Sequence, residues 1–131
     1  MLLRAPARVP QFRGIDRLRA EDRGALWEHY VLNELHARLQ TRAIQYWRDK
    51  RGHEIDFVLR RPGIQPVAIE CKAMSANFDA TNLVAFRRAH PKGVNLLVAP
   101  DVAKSFHEMH AGLKIEFVGL EGLIAGATAK R

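Results

Sequence analysis

The chain has 131 residues, 47% hydrophobic and 27% charged, which is the length and balance of one globular domain with its own core. Its 21 Lys and Arg against 14 Asp and Glu leave a net charge of +7, which suits a polyanionic partner such as nucleic acid without identifying one. The single cysteine, Cys71, excludes an intramolecular disulfide and an all-cysteine metal site. No apolar run is long enough for a membrane span or a signal peptide, so the expected location is the cytoplasm.

Residues 1–20 hold two of the six prolines and five arginines without an apolar period, and read as an arm or linker ahead of a domain at 21–131. The stretch "AEDRGALWEHYVLNELHARLQ" then opens on acids and brings Leu26, Tyr30, Val31, Leu35 and Leu39 round at near-helical intervals, predicting a helix over 22–40. Three short runs rich in β-branched and aromatic residues follow, "AIQYWRD", "EIDFVLRR" and "PVAIECKA". Split by Lys-Arg-Gly-His and by Pro62-Gly63, they predict a three-stranded meander. "NLVAFRRAHP" reads as a helix stopped by Pro91, and "GVNLLVAP" as a central strand. "DVAKSFHEMHAGL" reads as a short helix, and "LKIEFVGLEGLIAG" as a last strand with a turn of helix. The resulting order, α-β-β-β-α-β-α-β, predicts an α/β domain with a mixed sheet covered by helices.

The strands carry charge where burial is expected. Strand alternation puts Ile55, Phe57 and Leu59 on one face and Glu54, Asp56 and Val58 on the other. Likewise Val67, Ile69 and Cys71 oppose Ala68, Glu70 and Lys72. Pairing the two runs as a hairpin over one core therefore brings Asp56, Glu70 and Lys72 together. Two carboxylates and a lysine on rigid strands suit a hard divalent cation, Mg²⁺ or Mn²⁺, and the hydrolysis of phosphodiesters. The alternative is a wet hairpin face on which Glu and Lys pair across strands for solubility. Helices on both sides of the sheet would favour the first reading, because a covered carboxylate needs a partner or a metal.

"HEIDFVL" followed by "PVAIECKA", with "GALWEHYVLNEL" and "YWRDKRG" before them, resembles the PD-(D/E)XK superfamily of restriction-endonuclease-like nucleases. More narrowly, the chain is similar to the C-terminal domain attached to predicted bacterial and archaeal AAA-type ATPases, over about residues 24–123. The resemblance implies metal-dependent hydrolysis of DNA, with Asp56 as the motif aspartate, Glu70 the variable acid, Lys72 the lysine and Glu28 the helical acid that completes a Mg²⁺ or Mn²⁺ site. It also implies an AAA-type ATPase module or partner protein. The motif proline is replaced by Ile55, and no Gly-rich phosphate loop occurs, so the chain is expected to be a fragment or a stand-alone descendant of an ATPase-linked protein. Superfamily members that bind without cutting imply the alternative of a non-catalytic docking or regulatory module.

Arg48, Arg60, Arg87 and Arg88 are the candidate contacts to a nucleic-acid backbone, with Arg61 and the arm's Arg4, Arg8 and Arg13 beside them. His107 and His110 lack a third ligand at useful spacing and read as a solvated helix face; His53 reads as a turn residue next to the acids. Trp27 and Trp47 sit among apolar neighbours and are expected in the core, and Cys71 is expected to be a buried thiol.

Overall fold

The computed structural model describes residues 19–40 and 43–129. Nearly all of the expected arm, including Arg4, Arg8 and Arg13, lies outside them. Helix α1 (Ala20–Leu39) buries Trp27, Val31 and Leu35, one stripe at intervals of four. Leu26 is 40% exposed and Trp27 takes its place in the stripe, whereas Val31 and Leu35 are buried and Tyr30 and Leu39 pack against the core as the apolar spacing predicts. Glu21 and Asp22 in the first turn and His36 and Arg38 in the last complement the helix dipole.

Strands β1 (Ile44–Arg48), β2 (Glu54–Arg61) and β3 (Ile64–Cys71) form the predicted antiparallel meander. A single 3-10 turn (Ser75–Asn77) leads into α2 (Thr81–Ala89), which crosses over to β4 (Asn95–Val98), parallel to β3 and buried along its whole length. Strands β5 (Phe106–His110) and β6 (Leu113–Val118) form a hairpin, and α3 (Leu120–Thr128) follows. The sheet order is β1-β2-β3-β4-β6-β5, a mixed six-stranded sheet.

Two cores sandwich it. On one face Phe57, Leu59, Val67, Ile69 and Cys71 meet Trp27, Val31 and Leu35 of α1 and Leu123 and Ala127 of α3. On the other, Val58, Ala68, Leu97, Ile115 and Phe117 meet Leu83 and Phe86 of α2. Trp27 belongs to the first core and Trp47 packs against the second, edge-on to Phe86, as expected of both.

The mixed α/β architecture is the predicted one, but the helix expected before the last strand is strand β5, and the order becomes α-β-β-β-α-β-β-β-α. Phe106 pairs across to Phe117 with the rings stacked at 4.8 Å, an interaction that only the hairpin provides. His107 and His110 therefore lie on an edge strand, not a helix. No described helix is long and apolar enough to cross a membrane.

Candidate functional site

Strict alternation fails at one place in β2, and that place holds Asp56. Gln45 pairs with Val58 but Trp47 pairs with Ile55, so two residues of β1 span three of β2. The extra residue is a β-bulge between Ile55 and Val58. It turns Ile55 into the α2-side core while Phe57 and Leu59 remain on the α1 side. Asp56, in the bulge, is released from the phase of Val58 and delivered to the cleft beside α1.

The β2–β3 ladder has its last residue pair at Phe57 and Ile69. Beyond it, carboxylates take over from backbone carbonyls. The Cys71 N–H donates to Asp56 Oδ2 at 2.8 Å, and the Asp56 N–H donates to Glu70 Oε1 at 3.3 Å. The two acids are thus fixed to each other's strands by the groups that would otherwise continue the sheet. From above, α1 is anchored by Trp27, whose Nε1–H donates to the Val98 carbonyl at 3.0 Å inside the core. That anchor sets the position of the next residue, Glu28.

Glu28, Asp56, Glu70 and Lys72 line one open cleft of about 550 Å³, together with Glu54, Asn77 and Asn82. Glu70 is 4% exposed, Asp56 and Lys72 are half-buried, and Glu28 keeps much of its surface in water. Burial and the nearby Asp56 carboxylate push the Glu70 carboxyl up to about 8, so it carries a proton at neutral pH. Burial, then Asp56, raises Glu28 to about 6. Asp56 is itself raised by burial, against the opposing pull of the Cys71 N–H and Lys72. The cluster holds more acid than one lysine can neutralise, which is the electrostatic state that a divalent cation relieves. Carboxylate oxygens are hard donors of the kind Mg²⁺ and Mn²⁺ prefer. Among the described residues, however, no three His, Cys, Asp or Glu side chains are already grouped closely enough to hold a metal.

The arginines have separate fates. Arg48 is exposed at the cleft's rim, 3.6 Å from the carboxylate of Glu54. Arg60 donates to Gln45 Oε1 at 3.2 Å on the meander, and Arg88 is exposed on α2. Arg87, expected on a nucleic-acid backbone, is 5% exposed and has no donor to spare. Its guanidinium donates to Asn95 Oδ1 and to the carbonyls of Pro66, His90, Lys92 and Val94. Gly93 makes this possible: at φ +137, a Cβ there would stand 2.1 Å from the Pro66 carbonyl oxygen and 2.8 Å from the guanidinium. Arg87 is a clamp between α2, β3 and β4.

His53 is a turn residue as expected, its Nδ1 2.8 Å from Asp49 Oδ2. Cys71 is buried, and desolvation first, then the neighbouring carboxylates, raises its thiol well above the ordinary value. Sequence reasoning missed Asn77 and Asn82, which reach the cleft only because the 3-10 turn and the start of α2 fold back beside it. Asn82 also accepts the Glu54 N–H at 3.3 Å, tying α2 to β2 at the cleft.

Comparison with solved structures finds a similar fold in a half-complex from a tetradecameric assembly of Thermococcus gammatolerans McrB AAA+ hexamers with bound McrC. The TM-score is 0.50 at 15% identity, and the match covers 73% of this chain and 27% of that one. This chain thus spans about a quarter of the protein it matches there. No curated protein matches it. A family model matches residues 23–116, from the first turn of α1 into β6, and takes in every candidate residue of the cleft. The chain belongs to DUF4143, a family described as a domain of unknown function.

Proposed function

We propose that this domain is a divalent-metal-dependent phosphodiesterase of the PD-(D/E)XK, restriction-endonuclease-like kind, acting on DNA as a module linked to an AAA-type ATPase. The observation that carries the reading is the convergence of Glu28, Asp56, Glu70 and Lys72 on one cleft, with Glu70 accepting the Asp56 N–H and Asp56 accepting the Cys71 N–H, so that each acid is bonded to the other's strand. On an ordinary wet hairpin face Glu70 would not be buried or hold a proton at neutral pH.

Glu28, Asp56 and Glu70 would hold Mg²⁺ or Mn²⁺, which when bound supplies positive charge where negative charge builds up on the phosphate. The Cys71 N–H and Lys72 favour the charged form of Asp56, against the burial that raises its carboxyl. Glu70 gives up its proton when the cleft is loaded. The Lys72 ammonium, carried just past the end of β3, orients water or a phosphate oxygen and offsets charge in the transition state. The ATPase link is supported by the fold shared with part of one chain in a complex of McrB AAA+ hexamers with bound McrC.

A plasmid-nicking assay with Mg²⁺ or Mn²⁺ tests the activity. The expected result is cutting by the wild type and a loss of about 100-fold or more in Asp56→Asn and Lys72→Ala, with DNA affinity in Ca²⁺ retained. A wild type that does not cut overturns the reading. It would favour a second one, a non-catalytic module docked to an ATPase, which the lack of a closed three-ligand group among the described residues supports. That module would bind its partner equally well with Asp56→Asn.

A further inference from the structure

We propose that Tyr46 is a stacking platform for an unpaired base, and that the ligand entering the cleft is single-stranded DNA lying across edge strand β1; this rests on reading the cleft as a phosphodiesterase site. Tyr46 is 74% exposed, the most exposed large apolar side chain of the described residues. Its face follows from its neighbours. Ile44 packs on the α1-side core and Trp47 on the α2-side core, so alternation puts Tyr46 on the α1 side, the side from which Glu28 approaches. Along β2 it stands opposite the bulge, between the Gln45–Val58 and Trp47–Ile55 pairs, one strand spacing of ~4.8 Å from the segment that carries Asp56.

Among the described residues β1 is the sheet's edge, and no further strand of theirs flanks the ring on its outer side. Arg48, two residues along and on the same face, reaches Glu54 at the rim of the cleft. An aromatic ring followed by a guanidinium, leading to a carboxylate cleft on a chain of net charge +7, matches a strand of phosphates and bases. The ring also selects for single strands. In a duplex each base already has neighbours on both faces, whereas an unpaired base has a free face to offer.

The test is fluorescence anisotropy of a labelled short oligodeoxythymidine, with Ca²⁺ in place of Mg²⁺, for the wild type, Tyr46→Ala and Tyr46→Phe. Tyr46→Ala is expected to bind about tenfold more weakly, Tyr46→Phe to bind like the wild type, and a duplex to show no difference among the three. Abasic sites along the oligonucleotide should abolish the gap between wild type and Tyr46→Ala. Equal affinities for wild type and Tyr46→Ala, or a wild type that binds no single-stranded DNA, overturn the proposal and leave the exposed ring to a protein contact. Plasmid nicking by wild type and Asp56→Asn reads the cleft independently, so stacking can fail while the phosphodiesterase reading stands.

Discussion

Trp27 and Lys72 donate to the same oxygen, the Val98 carbonyl, at 3.0 Å from the indole Nε1 and 3.1 Å from the lysine backbone N–H. One atom at the end of β4 therefore fixes both the helix that carries Glu28 and the chain that carries Lys72. Trp27→Phe keeps most of the apolar volume but removes the indole donor. It is expected to cost roughly 1–2 kcal/mol and to weaken Mn²⁺ binding by letting α1 drift from the cleft. Thermal unfolding and calorimetric titration on one preparation check this; lost stability with unchanged metal affinity would separate the anchor from the site.

Glu70 makes stability depend on pH in an unusual direction. Its carboxyl moves from an ordinary 4.5 to about 8 on folding, so between those values the folded state binds more protons than the unfolded one. Stability without metal therefore falls as pH rises through that window and levels off above it. Glu70→Gln keeps an oxygen to accept the Asp56 N–H but cannot ionise. It should match the wild type near the acid end of the window and melt at a higher temperature above about pH 8. Added Mg²⁺ should recover the loss in the wild type and do little in the variant. A wild-type melting temperature that is flat across the window would contradict the buried, protonated acid.

Arg87 is predicted to matter for folding and not for nucleic acid. Arg87→Lys offers three donors from a point charge where five diverge in a plane, leaving buried acceptors around Pro66, Lys92 and Val94 unsatisfied. The expected cost is about 3 kcal/mol or more, read by denaturant unfolding. DNA affinity of the fraction that remains folded should not change, whereas a selective loss of affinity would return Arg87 to the binding surface.

The β5–β6 turn predicts a stabilising change. Ala111 (φ +53) and Gly112 (φ +80) form a two-residue hairpin loop with both residues left-handed. Ala111→Gly relieves the Cβ strain and should raise stability by roughly 1 kcal/mol, visible as a higher melting temperature. A lower melting temperature would mean that the turn tolerates alanine without strain.

That same alanine explains why the hairpin was not legible in the sequence. A turn of this kind advertises itself through Asn-Gly or Asp-Gly, and Ala-Gly gives a weaker signal. Strand β5, mostly exposed, also has no clean apolar alternation. Elements that bury one clear face, α1 and the first three strands, could be read directly, as could the all-buried β4. The candidate acids and lysine were legible as residues because charges stand out in apolar strands. Their geometry was not: alternation alone puts Asp56 in phase with Val58, and only the pairing of β1 with β2 shows the bulge that sets it free. Arg87 misled because a basic residue in a helix looks like surface until the loop carbonyls that surround it are known.

The most direct test is calorimetric titration of Mn²⁺ near neutral pH into wild type and Asp56→Asn, each in two buffers of different ionisation enthalpy. Saturable binding by the wild type is expected, with a heat that differs between buffers because Glu70 releases its proton, and no binding by Asp56→Asn. No binding by the wild type at millimolar Mn²⁺, or equal binding by both proteins, would contradict it.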